Sequence, residues 1–208
     1  MMLTIDTSGA LSGLAITLGD RLIAEQQWQS GRRHSEQVLP QLDALCRLVG
    51  VTPQQFTHII VARGPGSWSG IRVGMSIAKG LVLATDATLI GIASLDAMAW
   101  AQRGTACHAM SSLGRGRFAV ASYPAAPWAP GSIDARNIAH IEPWHDAPIV
   151  CDADTADAIR AIEPAAPIRV VRPRPLDYAV LGVEVIVHHD PATFLCEPLY
   201  LGDPVQRP

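Results

Sequence analysis

No C-x-x-C pair occurs in this chain. Its four cysteines, Cys46, Cys107, Cys151 and Cys196, are scattered through apolar stretches, a spacing that fits buried free thiols better than a disulfide framework or a zinc site. Basic charge is also in short supply: 16 Lys and Arg face 19 Asp and Glu, for a formal net charge of −3. Such a chain offers no overall positive field to hold a phosphate backbone, so any nucleic acid involved must be gripped mainly by a partner. No run approaches the length of a membrane-spanning helix, and the opening Met1-Met2-Leu3-Thr4-Ile5-Asp6 lacks the basic-then-apolar form of a secretory leader. A cytoplasmic protein without a membrane segment is therefore expected. The seven histidines, His34, His58, His108, His140, His145, His188 and His189, include no H-E-x-x-H or other pair at metal-ligand spacing on one helix face, so no metal site is expected. No G-x-S-x-G elbow occurs, and no motif ties a histidine to a serine or cysteine. No repeat at a solenoid period is present.

What is present is core material. With 208 residues, 49% of them apolar, the chain can fill one large domain or two small lobes. Residues 2–7, 11–18 and 21–28 read as strands, the last two joined by a tight turn at Gly19-Asp20. Val38, Leu39, Leu42, Leu45, Cys46 and Val49 recur at helical spacing, with Ser35 as candidate N-cap, Gly50 as stop, and Pro40 expected to bend the helix or delay its start. An apolar strand at 59–62, a Gly/Pro/Ser turn from Gly64 to Gly70, a helix through Leu83, a strand at 88–93 and a short helix at 94–101 follow. The order β-β-β-α-β-α-β-α is that of a ribonuclease-H-like lobe, which actin, Hsp70 chaperones and sugar kinases use twice. It argues an α/β architecture of mixed sheets flanked by helices. We divide the chain into an N-terminal lobe, 1–103, and a reduced C-terminal lobe, 104–208. In the latter a hairpin around Gly114-Arg115-Gly116, short strands at 149–151 and 169–171, and helices at 155–162 and 176–187 are expected.

Three stretches carry candidate chemistry. Asp6-Thr7-Ser8-Gly9 lies where a first strand turns, a place where a carboxylate can orient a metal-bound phosphate while hydroxyls donate to its oxygens. The same residues equally serve to satisfy a turn through side-chain to backbone bonds. Gly64-Pro65-Gly66-Ser67-Trp68-Ser69-Gly70-Ile71-Arg72 joins a strand to a helix through a permissive turn that could cradle an anion. It matches neither the P-loop nor G-x-G-x-x-G, because no lysine follows and Ser69 takes the last glycine position. In the helix beyond, Gly70, Gly74 and Ala78 form a stripe without bulk, flanked by Ile71, Met75, Ile77 and Leu81. Such a stripe packs either onto the lobe's own sheet or against a partner helix.

At Asp6-Thr7-Ser8, at His34-Ser35-Glu36, and above all along Arg63–Gly74 (RGPGSWSGIRVG) and Ala78-Lys79-Gly80-Leu81, the sequence resembles the TsaB (YeaZ) family. The likeness covers roughly the first hundred residues, and Glu197-Pro198-Leu199-Tyr200-Leu201 resembles that family's ending. It implies a non-catalytic scaffold or activator in the machinery that forms threonylcarbamoyladenosine on tRNA. It also implies a two-lobed fold, a TsaD-type catalytic partner docked through first-lobe helices, a TsaE-type ATPase and tRNA met indirectly; without a partner, self-association of the small-residue stripe as a homodimer is expected. The implied partner face is His34, Leu42, Gly66, Ser67, Gly70, Ile71, Arg72, Gly74, Met75 and Ala78. No tightly bound cofactor is implied, with room left for ATP or ADP at a partner interface and a degenerate phosphate site at Asp6, Thr7 and Ser8. TsaD-like sequences carry H-x-E-G-H after the strand matching 88–92, whereas this chain reads Ser94-Leu95-Asp96-Ala97-Met98. An alcohol and a thioether are poor ligands for a hard or borderline divalent ion, which also argues against a metallopeptidase. The family's acidic hairpin at the start of the second lobe is replaced by Ser112-Leu113-Gly114-Arg115-Gly116-Arg117. The alternative is an ATP-dependent small-molecule kinase or transferase acting through Asp6.

Overall fold

A computed structural model of the chain describes residues 1–31, 33–125, 134–137, 146–188 and 197–199, the strand at 134–137 by its backbone alone. The chain divides into two compact units, Met1–Ala93 with Arg174–Pro198, and Ser94–Pro173 with Leu199–Pro208. Where a single boundary was expected at 103/104, the chain changes unit at 93/94, 173/174 and 198/199, and a C-terminal helix returns to the first unit.

The first unit holds β1 (Met2–Asp6), β2 (Leu11–Leu18), β3 (Arg21–Gln29), α1 (His34–Val49), β4 (His58–Ala62), α2 (Trp68–Thr85), β5 (Thr88–Ile92) and α5 (Pro175–His188). Its sheet runs β3-β2-β1-β4-β5, antiparallel across the first three strands and parallel from β1 to β4 and β5. Gly19 and Asp20 make the two-residue connection of β2 to β3, with Gly19 at φ 62°. Leu3, Ile5, Leu14, Ile16, Ile59 and Val61 bury one face of the sheet together with Val38, Leu42, Leu45 and Cys46 of α1 and Met75 and Ala78 of α2. On the opposite face Ile60 meets Gly182 of α5, so the sheet is covered on both sides. Burial on both faces is why β1 and β4 read as continuous apolar runs rather than as alternation.

Helix α1 starts at His34, with Arg33 rather than Ser35 at the N-cap position, and runs unbroken through Pro40. Its start is set by tertiary contact: His34 Nδ1 lies 3.0 Å from Ser12 Oγ and 2.9 Å from Ser30 Oγ, which fixes the first turn against β2. Pro40 is exposed, so its missing N–H is lost on the solvent side and the apolar stripe holds the helix together. Gly50 ends it in the left-handed conformation at φ 70°, as expected.

The second unit holds α3 (Ser94–Trp100), β6 (Cys107–Gly114), β7 (Arg117–Tyr123), β8 (Asp134–Asn137), β9 (Ile149–Cys151), α4 (Ala153–Arg160) and β10 (Ile168–Val170). Its sheet order is β10-β9-β6-β7-β8, antiparallel across β6, β7 and β8 and parallel across β6, β9 and β10. Numbered from its own first strand, this is the order and direction pattern of the first sheet. Strand β8 was not legible in the Pro- and Ala-rich stretch after Tyr123. The reduction therefore falls on strand length, since β9 and β10 have three residues each. Arg115 and Gly116 turn the β6–β7 hairpin at φ 56° and 71°, the doubly positive geometry of a type I′ turn.

Candidate functional site

The end of β1 and the start of α2 form one corner. Asp6 accepts from the Ser8 N–H at 2.9 Å and the Ser8 hydroxyl at 2.7 Å, and the Tyr178 hydroxyl of α5 donates to the same carboxylate. Thr7 Oγ1 donates to the Gly70 carbonyl at 2.7 Å. The Ser67 N–H donates to the Ser8 carbonyl at 2.7 Å, while the Ser67 side chain caps α2 by accepting from the Gly70 N–H at 3.3 Å. Two stretches that the sequence offered as separate anion cradles are here bonded to each other.

Close approach explains the glycines. A Cβ at Gly66 would fall on the Ser8 carbonyl oxygen, one at Gly70 on the Thr7 carbonyl oxygen, and one at Gly74 on Thr7 Oγ1. Only a backbone without side chains lets α2 lie this near the strand end. The Gly70-Gly74-Ala78 stripe thus packs onto its own lobe, with Ala78 fully buried in the α1–α2 core.

Burial pushes the Asp6 carboxyl above the usual carboxylate range, and the bonds from Ser8 and Tyr178 oppose that shift in part. Tyr178 is fully buried. No sequence signal pointed to it, because α5 reaches the corner from the far end of the chain.

Of the residues implied as a partner face, His34, Leu42, Gly70, Ile71, Gly74, Met75 and Ala78 are buried in the first unit, Ser67 is half-buried, and Gly66 and Arg72 are exposed. Large apolar side chains do face outward on these helices: Leu39 and Leu48 on α1, and Trp68 and Leu83 on α2, with Leu83 88% exposed.

Ser94 and Met98 sit buried on α3. Met98 lies in an apolar cluster with Leu95, Cys107 and Val150. Asp96 accepts from the Tyr123 hydroxyl at 2.7 Å, and burial raises that phenol well above its ordinary value. Among the described residues no group of three or more His, Cys, Asp or Glu side chains could hold a metal ion.

The second sheet also assembles a constellation that sequence spacing could not show. Register sets His108 opposite Ser122, with Nδ1 2.8 Å from the serine hydroxyl, and Nε2 lies 3.0 Å from Asp146 Oδ1. The bond from His108 holds the exposed Asp146 carboxyl below its usual range. The ring's two nitrogens are used in the reverse sense to a hydrolase triad, where Nε2 faces the serine. It reads as a histidine satisfied on both sides.

Cys46, Cys107 and Cys151 are buried free thiols, and burial pushes Cys151 up to about 12, which makes it inert. Cys196, His140, His145, His189, Tyr200 and Leu201 lie outside the described residues, as does the side chain of His188. Among the described residues no helix is long and apolar enough to cross a membrane.

Residues 24–121 match the family described as tRNA N6-adenosine threonylcarbamoyltransferase, TsaD. The chain is 35% identical over 98 residues to the tRNA threonylcarbamoyladenosine biosynthesis protein TsaB of Bacillus subtilis, covering 47% of this chain and 43% of that protein. It is 35% identical over 101 residues to the TsaB of Haemophilus influenzae, covering 48% and 42%. The matched region spans less than half the length of these curated relatives. In structure the chain is similar to a Pseudomonas aeruginosa protein described as resembling peptidase YEAZ, with a TM-score of 0.79, 19% identity, and 97% and 99% of the two chains covered. At that identity the likeness concerns the fold.

Proposed function

We propose, for a chain whose residues 24–121 match the TsaD family and whose N-terminal half is 35% identical to a TsaB protein, a supporting and non-catalytic role in forming threonylcarbamoyladenosine on tRNA. The observation that supports this reading is the retained Arg63–Gly74 signature of the first unit together with buried Ser94 and Met98 on α3. The signature Arg63–Gly74 builds a rigid β1–α2 corner, while Ser94 and Met98 stand where imidazoles would be needed. On this reading the chain docks a TsaD-type catalytic subunit and works alongside a TsaE-type ATPase, and tRNA reaches it through the complex, as the absence of a basic excess requires.

The docking face we propose is the outward side of α1 and α2. Most residues first implied as partner contacts are buried in the lobe, so they shape the face from beneath, and Arg72, Trp68, Leu39 and Leu83 present it. Exposed apolar side chains on paired helices are a usual basis for association. Without its partner the same face pairs with a second copy, giving a homodimer.

Reconstitution with tRNA, the TsaD-type and TsaE-type proteins, ATP and threonylcarbamoyl-adenylate as the activated donor tests the reading. Modified adenosine should fall to background when this chain is omitted, and Leu83→Arg should remove both co-purification with the catalytic subunit and modification. Undiminished modification in its absence, or no binding at micromolar concentration, would sink the role. A monomer by light scattering at high concentration would remove the homodimer alone.

A further inference from the structure

The corner at the end of β1 is where a nucleotide phosphate and its metal would be expected in a lobe of this fold, and its residues do not fit that group. A phosphate cradle needs free donors, and four of those nearest are engaged within the corner: Ser8 gives its N–H and its hydroxyl to Asp6, Thr7 gives its hydroxyl to Gly70, and Ser67 gives its N–H to Ser8. A cradle also needs room. The backbone of Gly66, Gly70 and Gly74 lies so close to Thr7 and Ser8 that not even a methyl group fits.

The turn's groups also diverge. Thr7 faces α2, where its hydroxyl meets Gly70 and Gly74, while Asp6 faces α5, where Tyr178 reaches it. With the hydroxyl engaged by α2 and the carboxylate by α5, the two do not converge on one ligand. A carboxylate that binds a metal must also be ionised, and burial here works against ionisation.

We infer that Asp6 is a latch for the returning helix α5 rather than a ligand for a metal-bound phosphate, and that the Gly64–Gly74 segment closes the turn so that no nucleotide is held there. Asp6 ties three pieces of the first unit together: its own strand, the Ser8 turn that abuts α2, and the buried face of α5. ATP or ADP that works with this protein is then bound elsewhere in the assembly.

The test titrates ADP with magnesium into the full chain while following the amide signals of Ser8, Gly66, Ser67 and Gly70. No saturable shift at these amides is expected up to millimolar nucleotide. Asp6→Asn, whose amide oxygen can still accept from Ser8, should keep the unfolding midpoint. Tyr178→Phe and Asp6→Ala should each lower it, and the double variant should fall no further than the worse single one. Should Asp6→Ala fail to fold, Tyr178→Phe removes only the hydroxyl and gives the reading. Saturable shifts at the corner that Asp6→Asn abolishes would overturn the inference, as would an unchanged midpoint in Tyr178→Phe. The inference stands apart from the role in the complex: a chain that docks its partner and yet binds ADP at this turn sinks the latch alone.

Discussion

Thr4 and Gly70 show how differently two small residues of one lobe respond to the same added group. The Thr4 hydroxyl is buried in β1 without a hydrogen-bond partner among the described residues, a desolvation cost of about 1 to 3 kcal/mol by mutational measure. Thr4→Val keeps the shape and removes the cost, so it should raise stability by about 1 kcal/mol in urea unfolding. Gly70→Ala runs the other way. Its methyl would meet the Thr7 carbonyl, and a backbone atom cannot swing aside, so a loss on the order of 3 kcal/mol is expected. His34 adds a pH dependence. Burial lowers its pKa from the ordinary 6.5, so the fold prefers the neutral ring. That contribution is fully present above the unfolded value and is lost as pH falls through the lower folded one. The denaturation midpoint should drop below pH 6.5. Because burial lowers His58 in the same direction, His34→Gln should remove only part of the drop.

At the scale of elements, periodicity revealed most of the first unit and little of what closes it. The strands from Met2 to Gln29, the Gly19-Asp20 turn and the Gly50 stop follow from alternation and backbone freedom, which are local properties. The mutual closure of the Asp6 and Gly64 turns was invisible, because it depends on two turns meeting in space while each alone looks like an anion site. The placement of α5 was equally hidden: its apolar pattern announces a helix and says nothing of which sheet it covers. Structure supplies the answer through Glu25 of β3, which accepts from the Leu176 N–H at 3.0 Å and forms an ion pair with Arg174, while Asp177 accepts from the Arg174 N–H at 2.7 Å. Arg174 is more than half exposed, so its pair is screened and contributes little, and the bond from the Leu176 amide matters more. Glu25→Ala should cost about 1 to 2 kcal/mol and speed hydrogen exchange first in the opening turn of α5.

At the scale of the whole chain, the return of α5 decides what can fold alone. A division at residue 103 would leave one face of the first sheet bare, with Met2, Ala15, Ile60 and Ile90 losing the cover that keeps them buried. Burying a single aliphatic side chain is worth about 1.5 to 3 kcal/mol, and a native domain has only about 5 to 15 kcal/mol in hand. Removing one covering helix is therefore enough to unfold the rest. A fragment of residues 1–103 should melt without a cooperative transition and bind a hydrophobic dye. Joining residues 174–188 to its end through a flexible linker should restore a cooperative transition and suppress the dye signal. Replacing Tyr178 with Ala in that fusion should weaken the rescue, since this side chain fills the space beneath the helix and reaches Asp6. A 1–103 fragment that melts cooperatively, with the midpoint of the fusion, would show that the first lobe is complete without the far end of the chain.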